Sequence, residues 1–104
     1  MKIAILNTTL VWENQTENRT NFEQKINSIN EAIDLIVLPE MFTSGFTMNP
    51  KKVAETMQGE TVSWLIKLAK AKNCAITGSL VISENENYYN RLLFVFPDSK
   101  IEFY

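Results

Sequence analysis

The residues with the most scope for chemistry are concentrated in one stretch, LPEMFTSGFTMN, at positions 38–49. A single acid, Glu40, follows the apolar run at 35–38 and a proline, and Met41, Phe42 and Phe46 surround it in sequence. A carboxylate shielded by such side chains has its charged form disfavoured and its pKa raised, which suits a general base. The plainer alternative is a solvated loop acid that marks where a strand surfaces.

Few other residues compete with Glu40. The chain has one cysteine and no histidine. A zinc site within it is therefore not expected, and Ser-His-Asp or Cys-His devices are excluded. Cys74 begins an apolar stretch, and a small buried hydrophobe describes it better than a nucleophile. Trp12 and Trp64 read as core or interface. Met41, Met48 and Met57 could line an adaptable pocket or fill gaps. Arg91 could bind a carboxylate, although an exposed strand arginine is the commoner case. Neither G-x-x-x-x-G-K-[ST] nor G-x-G-x-x-G is present, so no nucleotide loop is expected.

Composition narrows the class. With 104 residues the chain is one small domain or part of a larger one, and a net charge of −2 gives no footprint for nucleic acid or an anionic membrane. Lys51, Lys52, Lys67, Lys70 and Lys72 read as solvated faces. The lone Cys74 fits a reducing compartment, and the opening MKIAILNTTLVWEN is too short in apolar residues for a signal or a membrane span. A cytoplasmic location is the expectation, and the glycosylation-like triplets at Asn7, Asn14 and Asn18 are taken as chance.

These residues need elements to position them. Residues 2–7 read as a first strand, expected at the centre of a sheet from its apolar run. Phe22, Ile26, Ile29 and Ile33 recur at intervals of four, three and four, which predicts a helix over 18–32. DLIVLPE is a second strand, stopped at Pro39. Val62, Leu65, Leu68 and Ala69 mark a second helix, capped by Thr61 and ended by Asn73. CAITGSLVIS and YYNRLLFVF form a hairpin across ENEN, and IEFY begins a fifth strand after PDSK. The order β-α-β-α-β-β-β gives a mixed α/β sheet, parallel first and antiparallel later, with helices on one face. Ile3 and Ile5 then point to one side, Ala4 and Leu6 to the other. The side away from the helices is also apolar, so a second layer is expected to cover it. Ligands in such sheets collect beyond the carboxyl ends of parallel strands, where Asn7, Glu40 and Ser79 fall. Gly78 beside Ser79 offers a place for close approach.

KIAILNTTLVWEN, DLIVLPEMFTSGFTMN, AITGSLVI and YYNRLLFVFPDSKIEFY, in that order, resemble the carbon–nitrogen hydrolase (nitrilase) superfamily, and most of all its omega-amidase-like branch. The resemblance implies an α-β-β-α sandwich, of which residues 1–104 would be the N-terminal half of one incomplete domain. It implies hydrolysis of a linear amide C–N bond, foremost the omega-amide of a 2-oxo acid, through a Glu-Lys-Cys triad with no metal or organic cofactor. Glu40 matches the Glu, and Phe42 and Phe46 would be pocket walls in contact with substrate. The Lys would follow shortly after Tyr104 and the nucleophilic Cys much later; Cys74 does not match it. The 104 residues alone would thus be inactive. The family has a glycine where this chain has Ser99, a departure that not every turn geometry would penalise. A small-molecule amide substrate and a homo-oligomer are the expected partners. The competing expectation is a non-catalytic fragment that folds only by association with a partner chain.

Overall fold

The computed structural model describes residues 1–45 and 47–104. Five strands form one sheet in sequential order: β1 (Ile3–Ile5), β2 (Leu35–Val37), β3 (Ala75–Glu84), β4 (Asn87–Val95) and β5 (Ile101–Phe103). β1, β2 and β3 run parallel, and β3, β4 and β5 run antiparallel. The short apolar runs at 3–5 and 35–37 become neighbouring parallel strands joined through a helix, and β1 is an edge of the sheet, not its centre as its apolar run predicts. Residues 75–95 fold back on themselves through Asn85 and Glu86, both left-handed at φ 52 and 67. That pair of positive φ values is the backbone of a type I′ hairpin turn, supplied here without glycine.

Helices α1 (Gln15–Asn27) and α3 (Glu60–Lys72) pack together over one face. Phe22 and Ile26 from α1 and Val62, Leu65, Leu68 and Ala69 from α3 meet Ile36, Ile76, Leu80, Ile82, Leu93 and Val95 from the sheet. The helix over 18–32 is displaced from its expected bounds for a local reason. Asn14 accepts the Glu17 backbone N–H at 3.0 Å and so caps α1 earlier, and Ser28 closes it. Ile29 and Ile33 keep their apolar contacts, but from the connector rather than from a helical turn. Thr61 does not cap α3. It lies inside the first turn, and Glu55 reaches in from the preceding segment to accept its N–H at 2.9 Å and its hydroxyl at 2.5 Å. Asn73 does end α3, in the left-handed conformation that a C-terminal cap requires. A further one-turn helix, α2 (Pro50–Val53), starts on a proline whose missing N–H costs nothing there.

The alternation of the strands sends the remaining apolar side chains to the other face. Ile3 and Ile5 are 53% and 71% exposed, whereas Ala4 and Leu6 pack on the helix-side core. Registers place Thr77 opposite Phe94 and Ser79 opposite Leu92 on the same open side. There Leu92 is exposed, and Phe94 and Phe96 pack ring against ring at 4.9 Å. One corner of this face is covered, where Met41 and Val53 close over Val81.

Candidate active site

Beyond the end of β2, the chain continues to pair with β3 but does so irregularly. Leu38 N–H donates to the Thr77 carbonyl at 2.8 Å, and Phe42 N–H donates to the Ser79 carbonyl at 3.2 Å. Between these two bonds Pro39, Glu40 and Met41 bulge away, and Met41 is left-handed at φ 50. The Met41 N–H donates to Ser79 Oγ at 2.9 Å, a buried bond that fixes the peptide following Glu40. Farther along, Glu55 takes over the same edge of β3, donating to Val81 at 3.1 Å and accepting from Ser83 at 2.8 Å.

The bulge places Glu40 over the open face. Its carboxylate shares a hollow of about 270 Å³ with Leu38, Ser79, Asn90, Leu92 and Tyr104. Asn90 Nδ2 donates to Glu40 Oε1 at 3.4 Å across β3. Tyr104 is brought to the same spot by two backbone bonds with Leu92, each 2.9 Å. Asn7, by contrast, does not line the hollow.

Among the described residues, no apolar shield of the expected kind surrounds Glu40. Glu40 is exposed, and Met41 turns into its own small cluster with Val53 and Val81. Phe42 is fully buried on the helix side, edge-on to Phe22 at 5.9 Å and stacked on Trp64 at 6.0 Å. Strict alternation would put Glu40 and Phe42 on the same side; the left-handed Met41 between them breaks it, and the Phe42 ring enters the larger core. Within these 104 residues Phe42 anchors the loop and does not line the Glu40 hollow. Phe46, expected beside it as a pocket wall, lies outside the described residues. Gly78 does serve close approach, but of protein to protein: a Cβ there would sit 2.9 Å from the Phe42 ring and 3.0 Å from Leu38 Cβ.

Other candidates resolve into structural roles. Cys74 is 2% exposed within the helix-side core, and burial raises its pKa despite the nearby Lys72. Arg91 is not an exposed strand arginine; it pairs with Glu84 at 2.6 Å and lies over Phe103 at 4.3 Å. Trp64 belongs to the core through Phe42 and donates from its ring nitrogen to Glu23 at 2.8 Å. A groove of about 610 Å³ between α1 and α3 is larger than the Glu40 hollow, but it lies on the helix layer. Among the described residues no group of three His, Cys, Asp or Glu side chains is placed to hold a metal ion. No helix among them is long and apolar enough to cross a membrane.

Two contributors were not singled out by sequence reasoning. Asn90 meets Glu40 only through the register of β4 against β3, which a single sequence does not print. Glu13 holds the flanking loops together, accepting from the Thr47 hydroxyl and pairing with Lys52 at 3.0 Å. The Thr47 hydrogen bond, then Lys52, lowers its pKa.

The profile of the Carbon-nitrogen hydrolase family matches residues 2–103. The chain belongs to the carbon–nitrogen hydrolase family. It is 36% identical over its whole length to the Omega-amidase YafV of Escherichia coli, covering 40% of that protein. It is 28% identical over 101 residues to the 2-oxoglutaramate amidase of Bacillus subtilis, covering 39% of that protein. In three dimensions 98% of the chain superposes with a TM-score of 0.93 on XC1258 from Xanthomonas campestris, a CN-hydrolase superfamily protein crystallised with an arsenic adduct in its active site. Sequence identity there is 33%, and 38% of that protein is covered. Yeast Nit3, of the nitrilase superfamily, shares the fold with a TM-score of 0.81. The chain thus spans about two fifths of the length of the curated relatives it matches.

Proposed function

We propose that this chain is part of an amidase that hydrolyses the omega-amide of a 2-oxo acid, with Glu40 as its general base. The observation that carries the reading is the hollow itself. The one acid of the LPEMF stretch is bulged out of β3's edge onto the apolar open face, and the end of β5 arrives beside it. An active site built there would be closed by the protein layer that covers this face. Similarity to an omega-amidase and to a 2-oxoglutaramate amidase supports the substrate class.

In this reading Glu40 takes the proton from a cysteine thiol, and the thiolate attacks the amide carbon. A lysine ammonium stabilises the developing oxyanion, Glu40 passes the proton to the amide nitrogen, and ammonia leaves as the thioester forms. Glu40 then activates water to hydrolyse the thioester. In this reading the lysine and the cysteine come from the part of the family's length that these residues do not span. Cys74 takes no part, because it is sealed in the core on the helix side. We place the enzyme in the cytoplasm, in keeping with its single cysteine.

The test is ammonia release from 2-oxoglutaramate, compared with other linear amides and nitriles. It is run on the full reading frame that encodes this chain and on residues 1–104 alone. Turnover by the full frame, with 2-oxoglutaramate preferred and no turnover by the short chain, is the expected result. Turnover by residues 1–104 alone would overturn the division of the triad.

A further inference from the structure

We infer that Ser79 and Asn90 are positioning residues for Glu40, forming a two-point clamp that fixes the backbone on one side and the carboxylate on the other. The inference rests on the reading of Glu40 as general base.

Two independent contacts support the clamp. Ser79 is 6% exposed, and its Oγ accepts the Met41 N–H at 2.9 Å. Met41 is left-handed at φ 50, a conformation that a residue with a long side chain seldom holds without support. The bond therefore pins the peptide directly after Glu40 in the conformation that ejects Glu40 from the ladder. Asn90 supplies the second point, its amide donating to Glu40 Oε1 at 3.4 Å. That length is the loose end of a hydrogen bond, and catalytic contacts of this kind tighten when substrate is bound.

The choice of an amide is chemically apt. A lysine or arginine in that position would favour the ionised carboxylate strongly and weaken it as a base. A neutral amide restricts the carboxylate's orientation at a smaller cost in basicity. Among the described residues lining the hollow, Leu38, Ser79, Asn90 and Leu92 carry no titratable side chain, and Tyr104 is the one other titratable group facing Glu40. Within residues 1–104 Asn90 is exposed on the open face and lies outside the helix-side core.

The experiment measures kcat and KM for 2-oxoglutaramate against pH in the full reading frame. It uses Asn90→Ala, Asn90→Asp, Ser79→Ala, Ser79→Thr and Glu40→Gln, each checked by melting temperature. Asn90→Ala is expected to lower kcat about tenfold or more with KM little changed, because orientation is lost and substrate binding is not. Asn90→Asp, nearly isosteric, is expected to move the acid limb of kcat/KM upward by about one pH unit, since a second carboxylate disfavours ionised Glu40. Ser79→Ala is expected to lower kcat, and Ser79→Thr, which keeps the hydroxyl, to restore most of it. If Glu40→Gln abolishes turnover while both Asn90 variants keep wild-type kcat and an unmoved acid limb, the clamp is refuted and the base stands. If Glu40→Gln leaves turnover intact, the base reading falls and the clamp falls with it.

Discussion

At the scale of single residues, the fate of each chemically capable side chain follows from which side of one sheet it faces. Glu40 and Phe42 are two positions apart, yet one is exposed over the open face and the other is fully buried beneath α1 and α3. Cys74 shares the burial of Phe42. Its thiol is held in the protonated form by desolvation, so the folded protein should not be alkylated by iodoacetamide at Cys74 at neutral pH. Peptide mapping after alkylation checks this, and rapid labelling of Cys74 in the native state would contradict it. Glu13 offers a pH test. Its pKa is lowered from the ordinary 4.5 by Thr47 and Lys52. Its contribution to stability is then fully present above pH 4.5 and is lost as pH falls through the lowered value. Glu13→Gln should flatten the pH dependence of melting temperature in that acid window and leave the slope above it unchanged. An unaltered acid slope would mean that the Glu13 contacts do not persist in solution.

At the scale of elements, the position of Glu40 depends on how the chain is packed around β3. Gly78 sits under the Phe42 ring and Leu38 with no room for another carbon. Gly78→Ala should destabilise the fold by about 1–3 kcal/mol through overpacking and displace the loop that carries Glu40. Urea titration checks the first effect; a midpoint equal to that of the parent would contradict it. The turn between β4 and β5 carries the opposite sign. Ser99 is left-handed at φ 77, a geometry that favours glycine. Ser99→Gly should raise stability by about 1 kcal/mol, again read from the urea midpoint. The elements themselves were largely legible in sequence. Continuous apolar runs announced β1 and β2, and 62, 65, 68 and 69 announced α3. The bounds of α1 were less so, because Ile29 and Ile33 continue its spacing from a connector that is not helical. The start of α3 was hidden for a different reason: Glu55 reaches Thr61 through folding of the chain, not through a local motif. Glu40 could be picked out by its place after β2. Its partners Ser79 and Asn90 depend on strand register, which is a long-range property.

At the scale of the whole molecule, the sheet has one finished face and one unfinished. Ile3, Ile5, Leu92 and Tyr104 are all exposed on or beside the open side, while the helix side buries its equivalents. Residues 1–104 alone should therefore associate. Sedimentation velocity should show a weight-average mass that rises with concentration, and a concentration-independent monomer with a sharp two-state melt would contradict this. In the proposed amidase, a layer over this surface would enclose the Glu40 hollow and shield proton transfer from bulk water. The most direct measurement of that claim is the steady-state rate of ammonia release from 2-oxoglutaramate by the full reading frame and its Glu40→Gln variant at matched melting temperature. A loss of kcat of at least about a hundredfold is the expected result, in line with removal of a general base. A Glu40→Gln enzyme that turns over at the parent rate would show that the chemistry does not pass through this carboxylate.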